Sequence, residues 1–281
     1  MQCYYSSHPV RWAQGLDNSA LIETFNMSDY KGKSVIVTGG AGHIGRAISE
    51  AYLRAGANVI ICGRRQPSQP VAIDGQSAIF VQADIRDPGQ AQQVIDQCMA
   101  ETQRLDILVN NAGGSPPIES ATASPSITDK IIQLNLVAPL ILSKMAYQVM
   151  SIDNSCANII NIASVSGARP SPGTVAYGAA KAGLLSATKS LAQEWGPTVR
   201  VNAIIVGLVH HDAGVAHYGG PEGFAKVANM LPLKRMAEPS DIADACLYLS
   251  SQQAAYVSGA TLEVDGGGEV PVFLHLADTL V

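Results

Sequence analysis

What most constrains the fold is an alternation. Short apolar runs and longer stretches of helical period follow one another from residue 34 to residue 264. The runs at 34–38, 58–62, 78–82, 105–109, 157–162, 199–204 and 261–264 predict strands, and 44–55, 88–102, 128–150, 175–195 and 239–250 predict helices. The strand runs are apolar at successive positions rather than at every second one, so both faces of the sheet must be covered. Helices between such strands make the connections parallel. The expected class is α/β, a doubly wound parallel sheet in three α/β/α layers.

No internal repeat or linker divides the 281 residues, which predicts one domain over 30–270. Residues 271–281 read as a C-terminal tail. Met27-Ser-Asp-Tyr-Lys-Gly-Lys33 reads like a natural protein start, so 1–29 are expected to be an N-terminal extension. The Gly-rich stretch from His210 to Leu233 breaks the alternation and is read as an insertion. A loop of that length in a compact domain is usually functional, and 208–233 is taken as the substrate loop.

Composition narrows the function. The chain is 47% hydrophobic and 15% charged, which suits a filled α/β core. Its formal charge is −5 and it has no basic run, so it lacks the electrostatic footprint of a nucleic-acid binder. No apolar stretch approaches the ~20 residues of a membrane span. The first residues show no charged segment followed by an apolar core. The five cysteines are odd in number and lack metal spacing, which predicts a reduced, cytoplasmic protein without a metal centre.

The turn Thr38-Gly-Gly-Ala-Gly-His-Ile-Gly45 joins the first strand to the first helix. Glycines there let the backbone approach a pyrophosphate, and the helix N-terminus offers N–H groups and partial positive charge. In this strand–turn–helix context the turn predicts a Rossmann-type dinucleotide site, with Gly39, Gly42, His43, Ile44 and Gly45 as contacts. The second strand ends in Cys62-Gly-Arg-Arg65. An acid at that place would hold the ribose 2′-OH of NAD, whereas arginines would clamp the 2′-phosphate of NADP. Arg64 and Arg65 therefore favour NADP(H), with NAD(H) the alternative. Asp84 and Ile85, ending the third strand, are expected at the adenine edge. Asn111, Ala112 and Gly113, ending the fourth, are expected at the ribose.

Tyr177 and Lys181 stand four apart on one helix face, with Ser164 thirteen positions upstream. A free tyrosine, pKa near ~10, is a poor base at neutral pH. A lysine ammonium beside it favours tyrosinate, and the phenol then exchanges a proton with an alcohol or carbonyl oxygen. Ser164 would hold that oxygen. His210-His-Asp212 raises a metal hypothesis, but neighbouring side chains on a strand point apart and no third ligand is evident. Arg169, just after Ser164, reads as a solvated arginine rather than a site for an anionic substrate.

Taken together these motifs resemble the short-chain dehydrogenase/reductase family, in order and spacing, over about residues 28–270. The Gly-rich turn, Asp84, Asn110-Asn-Ala-Gly113, Asn135, Ser164, Tyr177, Lys181, Val199-Arg-Val-Asn202 and Val264-Asp-Gly-Gly267 carry the resemblance. It implies Tyr177 as general acid/base, Lys181 on the nicotinamide ribose, Ser164 on the substrate oxygen, Asn135 on a water relay, and Gly207 and Val209 beside the nicotinamide. It also implies a metal-free NAD(P)-dependent oxidoreductase that interconverts a secondary alcohol and a ketone as a homodimer or homotetramer.

The chain departs from the family pattern at His43, where the short branch has glycine, at Val206-Gly207 in place of Pro-Gly, and at His211 in place of threonine. Gly39, Gly42 and Gly45 have the spacing of the epimerase and dehydratase branch, which keeps that activity as an alternative, alongside a non-catalytic cofactor sensor. His43 is expected to turn outward. Apolar residues in 208–233, Tyr218 and Phe224 among them, point to a hydrophobic substrate: alicyclic, steroid-like or acyl-thioester. They also predict that this segment is a lid.

Overall fold

The computed structural model describes residues 30–152, 157–211, 215 and 218–273. The expected N-terminal extension and most of the tail lie outside that set. In chain order the strands are β1 Ser34–Thr38, β2 Asn58–Gly63, β3 Ala72–Ile73, β4 Gln76–Ser77, β5 Ile79–Gln82, β6 Ile107–Asn110, β7 Ala157–Ile162, β8 Val199–Val206 and β9 Thr261–Val264. The α-helices are α1 His43–Arg54, α2 Pro88–Thr102, α3 Pro125–Ile132, α4 Ala138–Met150, α5 Val175–Trp195, α6 Pro221–Met230 and α7 Pro239–Ser250.

Seven strands form one parallel sheet in the order β5-β2-β1-β6-β7-β8-β9. The chain steps outward from β1 to β2 and β5, then crosses back to place β6 on the other side of β1. Strand order reverses there, which opens a crevice at the carboxyl ends of β1 and β6. The central strands β1, β2, β6, β7 and β8 are buried on both faces, while β5 and β9 at the sheet edges are partly exposed. Val35 and Val37 pack with Ile48, Tyr52 and Ile242 under α1 and α7. Ile36 and Ile60 pack with Ile95, Leu142 and Met150 under α2 and α4. Layering by helices on both faces explains why the strand runs show no polar alternation.

Three features depart from the sequence reading. The small antiparallel hairpin β3–β4 interrupts the stretch between β2 and β5. The single helix expected over 128–150 is α3, a widened π-turn at Gln133–Val137, and α4. Pro139 has no N–H to give the carbonyl of Asn135 four residues earlier, so the ladder opens and the N–H of Ala138 reaches back to Gln133 O. Finally, the 208–233 segment is not a plain loop. It contains α6, which Pro221 opens at a position where a missing N–H costs nothing.

Candidate active site

The cofactor end begins at Thr38, whose hydroxyl accepts from the N–H groups of Asn111 and Ala112 at 2.9 Å each. Asn111 Nδ2 donates to Thr38 O at 2.9 Å. These bonds fasten the turns after β1 and β6 together at the point where strand order reverses. Gly45 makes the turn possible: a Cβ there would lie 2.2 Å from Gly39 O and 2.7 Å from Asn111 Nδ2.

A cleft of about 550 Å³ opens above. It is lined by Gly39, Gly42, His43, Ile44 and Gly45 from the turn, Arg64 after β2, Asp84 and Ile85 after β5, Asn111, Ala112 and Gly113 after β6, and Val209 and His211 after β8. Arg65 does not line it. Asp84 is held by Arg86, whose Nε and Nη2 donate to its carboxylate at 2.9 and 2.5 Å. That pairing keeps its pKa below the usual carboxylate range. Cys62 also lines the cleft, but burial pushes its thiol up to about 12, which makes it inert.

A second pocket, about 240 Å³, adjoins the cleft through Ile44, Asn111, Gly113 and Val209. Ser164, Tyr177, Lys181 and Gly207 line it together. Ser164 caps a short 3₁₀ turn at Val165–Gly167 and accepts from Ser166 N at 3.2 Å. That turn packs directly on the backbone of α5. A Cβ at Gly178 would come within 2.7 Å of Ser166 O, so only glycine lets Ser164 sit this close to Tyr177. Asn135, fully buried at the π-turn, accepts from Gly114 N at 2.8 Å and donates to Gly114 O and Ile131 O at 2.9 Å.

The electrostatics differ from the expectation. Lys181 Nζ donates to Ile162 O at 2.7 Å and lies 5.6 Å from the Tyr177 ring centre. Burial lowers its pKa to about 8. Burial also raises the Tyr177 phenol above its ordinary value, and a hydrogen bond with Ser164 offsets only part of that rise. In this arrangement the phenol stays protonated and bonded to Ser164, and Lys181 is engaged by a backbone carbonyl. The spacing of the pair put both side chains on one face, but it could not show that a carbonyl would take the ammonium.

Other expectations are corrected by the fold. His43 is exposed, as an outward turn requires, but it is not free: its Nε2 lies 2.5 Å from His210 O. Arg169 is not simply solvated, because it pairs with Glu269 beside a pocket of about 200 Å³. Val165, Ala168, Ile205, Gly207, Leu208 and Leu231 form much of that pocket's wall. Tyr218 and Phe224 line neither this pocket nor the one around Tyr177. Phe224 rests instead against His210 and Tyr218, with ring centres 5.2 and 6.2 Å apart. His210 and His211 take different partners, Glu238 and His43 respectively. Asp212 lies outside the described residues, and among those described no group of three metal-binding side chains gathers.

The segment Asn110–Gly113 is expected to steady the central sheet, but sequence reasoning missed the partners of Asn110 in a buried polar ladder behind the site. Asn110 Nδ2 donates to Ser143 Oγ and Asn161 Oδ1, and Asn161 Nδ2 donates to Thr188 Oγ1, all at 2.9 Å. The available signal was asparagine inside otherwise apolar strand runs, since a buried amide demands partners.

A family model described as enoyl-(acyl carrier protein) reductase matches residues 39–269. Among curated proteins, a 3α-hydroxysteroid dehydrogenase of Mediterraneibacter gnavus is 35% identical, over 84% of this chain and 96% of its own. Glucose 1-dehydrogenase 2 of Bacillus subtilis is 32% identical, over 85% and 95%. Among solved structures, ligand-free aldohexose dehydrogenase of Thermoplasma acidophilum superimposes with a TM-score of 0.79 at 29% identity, covering 85% of this chain and 95% of that one.

Proposed function

The chain belongs to the short-chain dehydrogenase/reductase family of oxidoreductases, and on that premise we propose that it interconverts a cyclic secondary alcohol and its ketone with NADP(H). The observation that carries this reading is the junction of two pockets. One holds Ser164, Tyr177 and Lys181 together, and the other is walled by the Gly-rich turn and Arg64.

The residues of the larger cleft fit a dinucleotide. The N-terminus of α1 and the turn before it suit a pyrophosphate. Arg64 suits a 2′-phosphate, for which no competing acid ends β2. A bound nicotinamide supplies or accepts the hydride. Tyr177 holds and moves the proton at the substrate oxygen, and Ser164 orients that oxygen by a hydrogen bond. Lys181, released from Ile162 O or shared with it, holds a ribose hydroxyl and supplies positive charge near the phenol. Asn135 keeps the turn after β6 in place through Gly114.

The substrate reading draws on the wall of Val165, Ala168, Leu208 and Leu231 beside the catalytic pocket, which suits an alicyclic skeleton. A relative named as a 3α-hydroxysteroid dehydrogenase, whose named group is a hydroxyl on an alicyclic ring, supports this reading. We further propose a homo-oligomer, the usual state in this family. The reading is tested by following NADPH absorbance with a panel of cyclic ketones. Turnover of at least one by the wild-type protein and none by Tyr177→Phe supports it. NADPH consumption that survives the substitution refutes the assignment of the acid.

A further inference from the structure

Two of the positions at which this chain departs from its family meet in the fold. His43 heads α1, and His211 follows β8. Their rings stand 4.4 Å apart, centre to centre, at 73°, edge to face. His43 Nε2 also lies 2.5 Å from the carbonyl oxygen of His210. A carbonyl only accepts, so His43 donates. Both rings line the large cleft, His43 from the Gly-rich lip and His211 from the opposite lip. Glycine at 43 and threonine at 211 would leave no ring contact across it.

The His211 side of this contact is anchored. Val209 bridges to Ala237 in parallel register, and His210 N donates to Ala237 O at 2.8 Å. His210 Nδ1 lies 3.3 Å from a carboxylate oxygen of Glu238, at the N-terminus of α7, and its ring rests on Phe224 of α6. The segment reaching over the cleft is therefore tied both to the sheet-covering helix α7 and to the substrate-side helix α6.

We propose that His43 and His211 form a clasp that joins the two lips of the cleft over the diphosphate of a bound dinucleotide and retains it. This rests on the nicotinamide-cofactor reading above. The turn and the start of α1 are where a diphosphate is bound, and His43 is the first residue of that helix. A contact closing behind a ligand acts mainly on dissociation. The clasp also gives the Gly-rich turn a continuous physical connection, through His210 and Phe224, to α6 on the substrate side.

The test is a double-mutant cycle on His43→Gly, His211→Thr and the pair together, reading NADPH dissociation by stopped-flow fluorescence. Each single change should raise the dissociation rate about tenfold, and the double change no further, because one shared contact is lost once. His43→Gln, which keeps an N–H for the His210 carbonyl but loses the ring, should give a smaller rise. Adenosine 2′-phosphate, which has no diphosphate, should bind all the variants as it binds the wild type. Unchanged rates in the single variants, a multiplicative effect of about a hundredfold in the double, or an equal loss of adenosine 2′-phosphate affinity would overturn the clasp. In each of those cases the cofactor reading stands. Failure of the wild-type protein to bind NADPH or NADH sinks the cofactor reading itself, and the clasp with it.

Discussion

The two ends of the active crevice are built differently. At the cofactor end, the shape comes from backbone: a glycine turn, a helix N-terminus and strand ends locked by Thr38 and Asn111. At the substrate end, beyond Gly207, the shape comes from side chains on loops and turns, Val165, Ala168, Leu208 and Leu231, with the rings of Tyr218, Phe224 and His210 packed against one another outside that wall. A backbone-built site has few alternatives, since moving one atom disturbs the sheet. A side-chain-built site can be re-lined without touching the core. Variety of substrate within one fold is expected to gather at such an end.

The largest expected effect is chemical and sits between the two ends. Tyr177→Phe should lower kcat/KM by about 10²–10⁴-fold, the usual loss of a general acid or base, while NADPH affinity stays unchanged. A variant keeping more than a tenth of the wild-type rate would break the claim that both ends serve this phenol.

Gly45→Ala sharpens the contrast from the backbone side. The added Cβ would meet Gly39 O and Asn111 Nδ2, atoms that cannot move away. Overpacking of this kind costs about 1–3 kcal/mol, so thermal stability should fall and cofactor binding should weaken with it. A variant as stable as the wild type, with full cofactor affinity, would show the turn to be as adaptable as the far end.

Lys181 ties the ends together and has a pH signature. Burial lowers its pKa from 10.5 to about 8. Between about pH 8 and 10 the unfolded chain therefore binds more protons at this site than the folded one. Ligand-free stability should rise with pH across that window, and Lys181→Met should remove the rise. A pH-independent difference between the two proteins would contradict the buried, carbonyl-bound lysine.

Arg64→Ala should reduce preference for NADPH over NADH by about tenfold, since one charge-assisted bond to a phosphate is worth about 1.5–3 kcal/mol. Equal use of both cofactors by the wild-type protein would refute it. The smallest effect is expected at Phe224→Ala. This half-buried ring touches His210 and Tyr218 but does not line the pocket around Tyr177, so KM should rise only a few-fold, with kcat retained. A loss as large as that of Tyr177→Phe would place α6 in the chemistry and erase the distinction between the ends. If hydrogen exchange finds α6 as protected without substrate as β1, the lid reading of 208–233 fails.

The parallel α/β architecture was legible from residues alone. Consecutive apolar strand runs such as Ser34–Thr38 and Ala157–Ile162 can only be buried on both faces, and the Gly-rich turn marks where the first helix begins. That Tyr177 and Lys181 would share one face was legible from their spacing along a single helix, and that Ser164 would join them in one pocket followed from the resemblance in motif order. Sequence could not show that His43 meets His211, that Lys181 is held by Ile162 O, or that Arg169 pairs with Glu269. Each joins segments remote in the chain, and nothing local in either segment encodes its partner. Nor could it show that Pro139 would open a π-turn beneath Asn135 rather than merely begin a helix. That choice depends on Gly114, whose N–H donates to the Asn135 amide oxygen and whose carbonyl accepts from the amide nitrogen, and only the assembled tertiary structure brings that turn within reach.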